Sequence, residues 1–193
     1  PVQYAMGIMG EHTHCRTKAA LFDVSHMGQV LLHGPDAALK LEALVPAALT
    51  HLPEGKARYT FFTNDEGGIM DDLIVANAGD HLFVVVNASM RAQDIHYMAA
   101  SLKGIDVTEI FDRALVAVQG PSAEAVVSAH CPQAAEMGFM ETLEALIDGS
   151  LCRLSRLGYT GEDGYEISIP EADAERIARL MLGHPDCEPA GLG

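Results

Sequence analysis

Two segments of the chain share one pattern, and this repeat constrains the fold more than any other feature. The segments are VLLHGPDAALKLEALV at residues 30–45 and VAVQGPSAEAVVSAHC at residues 116–131. In each, an apolar run leads through a Gly-Pro pair into an alanine-containing amphipathic stretch, which predicts a strand followed by a helix. Proline suits the first turn of a helix, where its missing amide would have no intrahelical partner. Because Gly34 and Gly120 occupy equivalent places, we expect an ancient duplication.

The sequence after each copy continues the repeat. A β-rich stretch follows with an acidic, glycine-containing turn, TNDEGG at residues 63–68 and TGEDG at residues 160–164. An amphipathic helix then closes each half. The apolar stripes of these helices are Ile95, Met98, Ala99 and Leu102 in the first half and Ala174, Ile177, Ala178 and Met181 in the second. The predicted order is strand, helix, strands, helix in residues 1–112 and again in residues 113–193, an α+β fold with antiparallel sheets.

The charge and cysteine content of the chain limit its partners and its compartment. The 12 basic and 27 acidic residues give a formal net charge of −15, which repels phosphate backbones and anionic membranes. Neither nucleic acid nor a membrane is therefore an expected partner. The 4 cysteines are widely spaced, and a chain with so large an available core does not need them as disulfides. We expect a reducing compartment, a bacterial-type cytoplasm or a mitochondrial matrix.

The stretch GGIMDDLIV at residues 67–75 places two aspartates inside an apolar run. Aromatic and β-branched residues predict three strands around it, RYTFFTN, IMDDLIVA and HLFVVVNA. The dipeptide at residues 79–80, Gly-Asp, has the pattern of a two-residue type II′ hairpin turn. Counting back along the antiparallel ladder from this turn sets Asp72 opposite Asn87.

The position of Tyr59 depends on the loop before these aspartates. If the loop around residues 65–66 has two or four residues, Tyr59 lies opposite Asp72, whereas a loop of three or five residues moves it by one. In the first case Tyr59, Asp72 and Asn87 form a polar row across three strands, suited to the floor of a binding site. The apolar side chains expected on the same face are Met70, Ile74 and Val85. Asp71 points to the opposite face, and we expect it in solvent.

Asp72 allows two interpretations. It can be a structural residue that caps a turn or joins an ion pair, or a functional group, because an unpaired ion on an apolar face is costly. A second acid, Glu166, lies in what we expect to be the duplicate's counterpart of the strand that carries Asp72. A pseudo-twofold axis between the halves would bring Asp72 and Glu166 to one ligand. Carboxylates accept hydrogen bonds from N–H groups, which suits an amino-pyrimidine edge.

Five motifs give the chain a resemblance to a known family. The segments PVQY, LFDVSHMGQ, GGIMDDLIV, ALVAVQGP and GYTGEDGYEISIP, in this order and spacing, resemble the T-protein of the glycine cleavage system, a tetrahydrofolate-dependent aminomethyltransferase. The resemblance covers the whole chain and implies the folate-binding fold of these transferases. Family members run longer at both ends, and we expect their C-terminal β-barrel domain to be absent here.

The resemblance also implies a reaction and a set of site residues. The family transfers the methylene of an aminomethyl group, carried on the lipoyl arm of the H-protein, to tetrahydrofolate and releases ammonia. Asp72 matches the family's essential aspartate, and Asn87 and Glu166 match groups that hold the pterin. The residues that match the lining of the folate site are Met27, Tyr59, Val85 and Tyr159. We expect Asp72 to orient the attacking amine and to stabilise positive charge, rather than to act as a simple base.

Other functions remain open at this point. Folate-dependent demethylases share the scaffold, and a non-catalytic folate-binding module is an alternative from a different class. The segment HTHC at residues 12–15 contains metal-ligating residue types. On a helix, however, residues i and i+2 do not share a face, and no second ligand cluster follows, so no metal site is expected.

Overall fold

The computed structural model describes residues 1–193 and divides into two compact units. The inserted unit comprises His26–Phe111, and the framing unit comprises Pro1–Ser25 together with Asp112–Gly193. The second segment of the framing unit begins at Asp112. Residues 1–25 differ from the prediction, because they belong to the framing unit and not to the first repeat.

The predicted order of strand, helix, strands and helix occurs in both halves, and the structure adds a helix and a strand before the first copy and one strand after each closing helix. In chain order they are α1 (Gly7–Thr17), β1 (Ala19–Asp23), β2 (Gly28–His33), α2 (Ala37–Glu42), β3 (Ala57–Thr63), β4 (Ile69–Asn77), β5 (Leu82–Val86), α3 (Arg91–Ser101), β6 (Asp106–Ile110), β7 (Arg113–Gln119), α4 (Ala123–Ser128), β8 (Thr142–Ile147), β9 (Ser150–Arg156), β10 (Gly164–Pro170), α5 (Ala174–Leu182) and β11 (Cys187–Ala190). The succession β2, α2, three strands, α3 recurs as β7, α4, three strands, α5. The predicted repeat and the α+β class are thus confirmed.

The inserted unit is a five-stranded antiparallel sheet with two helices on one face. Its strand order is β3-β4-β5-β2-β6. Alternate residues of the strands pack with α2 and α3 into a core that includes Leu73, Val75 and Met98. Full burial of one such side chain contributes about 1.5–3 kcal/mol. Of the stripe predicted for α3, Ala99 is exposed, whereas Met98 is fully buried.

The framing unit is a six-stranded sheet of order β11-β1-β7-β10-β9-β8. The strand β1 pairs with β7 on one side and, in parallel, with β11 on the other. This pairing places the first 25 residues in the framing unit. The apolar residues of β10 alternate with polar ones and pack against α5, whose Ile177 and Met181 are fully buried. None of the helices combines the length and the hydropathy that crossing a bilayer requires.

The two Gly-Pro turns show why the repeat carries glycine. Gly34 and Gly120 both have positive φ, 144° and 129°, a conformation that glycine adopts without strain. A Cβ atom on Gly120 would lie 2.2 Å from the carbonyl oxygen of Lys18, so the backbone there leaves no room for a side chain. The prolines precede the helices and are not in their first turns, since α2 and α4 begin two residues after each proline.

Candidate functional site

The pairing of Asp72 with Asn87 is as predicted. The amide of Ala78 donates to the carbonyl of His81 at 3.0 Å, and Gly79 in the turn has φ of 94°, as a type II′ turn requires. The register of β4 and β5 continues from this turn and brings Asp72 to Asn87. Nδ2 of Asn87 donates to Oδ1 of Asp72 at 2.5 Å and approaches its carbonyl oxygen at 3.2 Å.

The prediction that Tyr59 lies directly opposite Asp72 is wrong by two residues. The partner of Asp72 on β3 is Phe61, and Tyr59 faces Ile74. The loop between Thr63 and Ile69 spans five residues, and an irregularity between Phe62 and Thr63 shifts the ladder by one more. A shift of two keeps side-chain parity, so Tyr59 still shares a face with Asp72.

Tyr59 nevertheless contacts Asp72 along the diagonal of the sheet. A hydrogen bond from the phenol to the Asp72 carboxylate raises the pKa of Tyr59, with smaller contributions from burial and from the charges of Asp72 and Asp71. Tyr59 as a whole is 54% exposed. Tyr59 can therefore orient the carboxylate while its ring remains open to a ligand.

The face around Asp72 is partly as expected. Ile74 and Val85 are paired across β4 and β5 and share a face with Asp72. Met70 does not, because it packs against the helix-covered core of the inserted unit, next to the irregularity in the β3–β4 ladder. Met27 lies half-buried in the turn before β2.

The expectation that Asp71 lies in solvent is wrong. Asp71 is half-buried, and its two carboxylate oxygens lie 3.1 and 3.2 Å from Nδ2 of Asn87. It is also close to Asp94 of α3, a residue that the sequence reasoning missed. Asp94 is only 1% exposed, and neither of its oxygens receives a hydrogen bond from another residue. The available signal was its position four residues before Met98, on the buried stripe of α3.

The pKa of Asp94 is raised from 3.8 to about 7. Burial is the largest cause, followed by the hydrogen bond with Asp71 and by the negative charges of Asp71 and Asp72. Both physical effects favour the neutral form of a carboxyl group. The inserted unit therefore holds two carboxyl groups at the amide of Asn87 and a third, that of Asp94, which interacts with Asp71.

Glu166 is the buried acid of the framing unit. It lies on β10 between Ala117 of β7 and Ser155 of β9, and it is 5% exposed. Burial alone raises its pKa from 4.5 to about 7. The expectation that its strand is the counterpart of the Asp72 strand is wrong. The first strand of the repeat is β2 in the inserted unit, where it pairs with β5, and β7 in the framing unit, where it pairs with β10. The strand β10 of Glu166 is therefore the counterpart of β5, and the Asp72 strand β4 corresponds to β9.

The turn between β9 and β10 is organised by Gln119. Its fully buried side chain donates to the carbonyl of Leu157 at 2.9 Å and accepts from the amide and hydroxyl of Thr160, both at 3.2 Å. Tyr159, inside this turn, is 57% exposed. Arg156 closes the turn by binding Asp163 through two hydrogen bonds. The motif GYTGEDG thus forms a turn that these hydrogen bonds stabilise and in which the side chain of Tyr159 is exposed.

The predicted site residues fall into two groups. Within the inserted unit, Asp72 contacts both Asn87 and Tyr59. Glu166 and Tyr159 belong to the framing unit, and their convergence with Asp72 on one ligand stays a prediction. Both groups are rich in acceptors and acidic, which suits a ligand with N–H donors or positive charge and disfavours a phosphate.

The histidines of the HTHC segment lie on α1. Nε2 of His14 is 3.0 Å from the carbonyl oxygen of Asp186, and Cys15 is buried with a raised pKa, chiefly through burial. These contacts give His14 and Cys15 structural roles in the framing unit.

Comparison with known proteins gives consistent matches over the whole chain. A family model described as GCVT N-terminal domain matches residues 1–193. The mitochondrial aminomethyltransferase of Gallus gallus is 43% identical over 201 residues, which cover 100% of this chain and 51% of the relative. The aminomethyltransferase of Rubrobacter xylanophilus is 40% identical, with 100% and 52% covered.

A solved structure agrees with these sequence matches. The glycine cleavage system aminomethyltransferase T from Bartonella henselae superposes with a TM-score of 0.92 at 35% identity, covering 100% of this chain and 53% of that one. The chain spans about half the length of the curated relatives that it matches.

Proposed function

The chain belongs to the GCVT N-terminal domain family, and on that premise we propose that the protein is a tetrahydrofolate-dependent aminomethyltransferase of the glycine cleavage system. It takes the methylene of an aminomethyl group from the lipoyl arm of an H-protein and transfers it to tetrahydrofolate, with release of ammonia. The observation that carries the proposal is the Asp72 carboxylate, held by Asn87 and Tyr59 on one face of the sheet.

The reaction exchanges two bonds of one carbon atom. The carbon loses its bonds to the amino nitrogen and to the lipoyl sulfur, and it forms bonds to two folate nitrogens. The two protons that those nitrogens give up end on the leaving ammonia and on the lipoyl thiol. Positive charge develops on the carbon as ammonia leaves, so a fixed carboxylate nearby stabilises the transition state.

Asp72 is suited to orientation and electrostatic stabilisation. The folate amine that attacks is already largely neutral near pH 7, so removing a proton before the attack gains little. The amide nitrogen of Asn87 donates hydrogen bonds to the carboxylates of Asp71 and Asp72. Its amide oxygen can therefore accept a hydrogen bond from an N–H group of the ligand.

Glu166 is proposed to receive the amino-pyrimidine edge of the pterin. A buried carboxyl without a hydrogen-bonding partner gains its ionised form when N–H donors of a ligand reach it, so folate binding lowers the pKa that burial has raised. Val85, Met27, Tyr59 and Tyr159 are proposed to line the folate site. Their roles rest on the family motif and, for Tyr59, on its contact with Asp72.

The test replaces Asp72 by asparagine. Asp72→Asn keeps the shape of the side chain, so tetrahydrofolate binding stays within roughly tenfold, about 1.4 kcal/mol, while most of the methylene transfer from loaded H-protein is lost. Asp80→Asn is the matched control, because Asp80 is 83% exposed in the hairpin turn. Unchanged transfer in Asp72→Asn contradicts the proposal.

Measurements of tetrahydrofolate binding and of methylene transfer also separate the alternative functions. Folate binding without transfer from aminomethyl-loaded H-protein indicates a binding module. Transfer from an N-methylated amine in place of loaded H-protein indicates a demethylase of the same scaffold. The proposed compartment is a bacterial-type cytoplasm or a mitochondrial matrix, since bacterial relatives and relatives named mitochondrial both match the chain.

A further inference from the structure

Asp94 is the most unusual polar group of the inserted unit. It lies in the first turn of α3 on the side that faces the sheet, and it is only 1% exposed to solvent. Both carboxyl oxygens are buried, and no N–H or O–H group of another residue donates to either of them. An ionised carboxylate in this position would be buried without compensation, which proteins rarely tolerate.

Asp94 interacts with the carboxyl of Asp71, which lies on the face of β4 that the helices cover. Two carboxyl groups can form a hydrogen bond only if one of them carries a proton. Asp71 already accepts from Nδ2 of Asn87 through both oxygens, at 3.1 and 3.2 Å, so it is the better place for the negative charge. The proton of the pair therefore belongs on Asp94.

We propose that Asp94 is a positioning residue, whose neutral carboxyl group donates to Asp71 and thereby fixes the chain of contacts Asp71–Asn87–Asp72. This inference rests on the proposed role of Asp72. The chain begins on the helix-covered face of the sheet and ends at the carboxylate on the other face, because Asp71 and Asp72 point to opposite sides of β4.

The charges around Asp94 make the contacts Asp71–Asn87–Asp72 depend on the proton that Asp94 carries. Asp71 and Asp72 of β4 are both acidic. The neighbouring cation of the same helix, Arg91, is engaged with Glu109 of β6 at 2.5 Å. Ionisation of Asp94 would add a third negative charge to those of Asp71 and Asp72, and the repulsion would displace Asp71 and its contact with Asn87.

A spectroscopic measurement tests the proton without reference to any activity. Because Glu166 also keeps a proton until about pH 7, the measurement is made in the Glu166→Gln background. Infrared spectra of Glu166→Gln are expected to show the carbonyl stretch of a protonated carboxyl group at neutral pH, and adding Asp94→Asn is expected to remove it. The band should fade as pH rises through about 7, the pKa to which Asp94 is raised. Asp80→Asn, in the exposed turn, should leave the band unchanged. A band that is absent from Glu166→Gln, or that persists when Asp94→Asn is added to it, overturns the proposal.

Two substitutions separate positioning from simple packing. Asp94→Asn retains a donor toward Asp71 and is neutral at every pH, so methylene transfer is expected to stay within about tenfold of wild type and to lose the dependence on pH near 7. Asp94→Leu keeps the branched heavy-atom skeleton but removes the donor, and kcat is expected to fall more than tenfold with little change in the KM for tetrahydrofolate. Wild-type kcat in a folded Asp94→Leu protein contradicts the role.

Two further measurements distinguish failure of the proposed function from failure of the role proposed for Asp94. If the wild-type protein shows no methylene transfer, the proposed function fails, whereas the infrared band still tests the proton on Asp94. Magnesium and calcium chloride are expected to leave the thermal midpoint unchanged. Stabilisation by either salt that Asp94→Asn abolishes would show an ionised acidic cluster and would overturn the proposal.

Discussion

Replacing Glu166 by glutamine is expected to make the ligand-free protein more stable above neutral pH. Glu166 is 5% exposed, and burial alone raises its pKa from 4.5 to about 7. The unfolded chain releases this proton near pH 4.5, whereas the folded protein keeps it until about pH 7. Folding therefore has to retain a proton, or bury a charge, at every pH above the ordinary carboxyl range.

The sign and size of the effect follow from this difference. A raised carboxyl pKa contributes no penalty below pH 4.5, and stability falls as pH rises from there through about 7. Above that range the penalty is constant at about 3 kcal/mol, since each pKa unit corresponds to about 1.4 kcal/mol. Asp94 adds a dependence of the same sign, so the wild-type curve alone does not isolate Glu166.

The assay is urea unfolding of wild type and Glu166→Gln at several values between about pH 5 and about pH 8. The difference between the two free energies of unfolding should be small at the acidic end and should approach 3 kcal/mol in favour of Glu166→Gln at the alkaline end, within about 1 kcal/mol. Glu175→Gln is the control, because Glu175 is an exposed partner of Arg179 on α5. A difference that stays constant over this range would refute the buried, neutral Glu166.

Three further predictions concern packing in the framing unit. Gly120→Ala should destabilise the protein by more than about 2 kcal/mol, because its Cβ would meet Lys18. Gly149→Ala, also at positive φ but with open space around it, should cost about 1 kcal/mol; equal costs in urea unfolding contradict the steric argument. Tyr165→Phe removes a buried hydrogen bond of 2.9 Å to the carbonyl of Ala134 and should cost about 1–3 kcal/mol by the same measurement, whereas no loss would argue against this bond. The four free cysteines are all buried, and burial raises the pKa of Cys152 to about 11, so a thiol reagent near neutral pH should label them only after unfolding; rapid labelling of the native protein would contradict this.

Local chemistry was enough to predict the contact at the centre of the candidate site. A Gly-Asp turn has few allowed geometries, and an antiparallel ladder propagates its register without ambiguity, so Asp72 and Asn87 could be paired by counting. The same counting was wrong for Tyr59. The longer loop and the irregularity at Phe62 add one residue each, and neither has a signal in the local sequence.

The acidic residues illustrate the other limit. Alternation along a strand shows that Asp71 and Asp72 point to opposite faces, but it does not show what covers each face. Asp71 meets α3, and Asp94 of that helix becomes its partner. A pairwise contact between a strand and a helix that begins 20 residues later depends on how the helix packs, which the spacing of its own apolar residues does not specify.

The repeated order of strands and helices, the Gly-Pro turns and the central hairpin could be predicted from short stretches of residues, because these features depend on backbone conformations that few residue types allow. Three other features required the folded chain: β1 pairs with β7 and β11, Glu166 lies on the counterpart of β5, and Asp94 interacts with Asp71. These three features come from contacts between distant parts of the chain. Their free energy depends on the packing of whole elements, and no short stretch of residues encodes it.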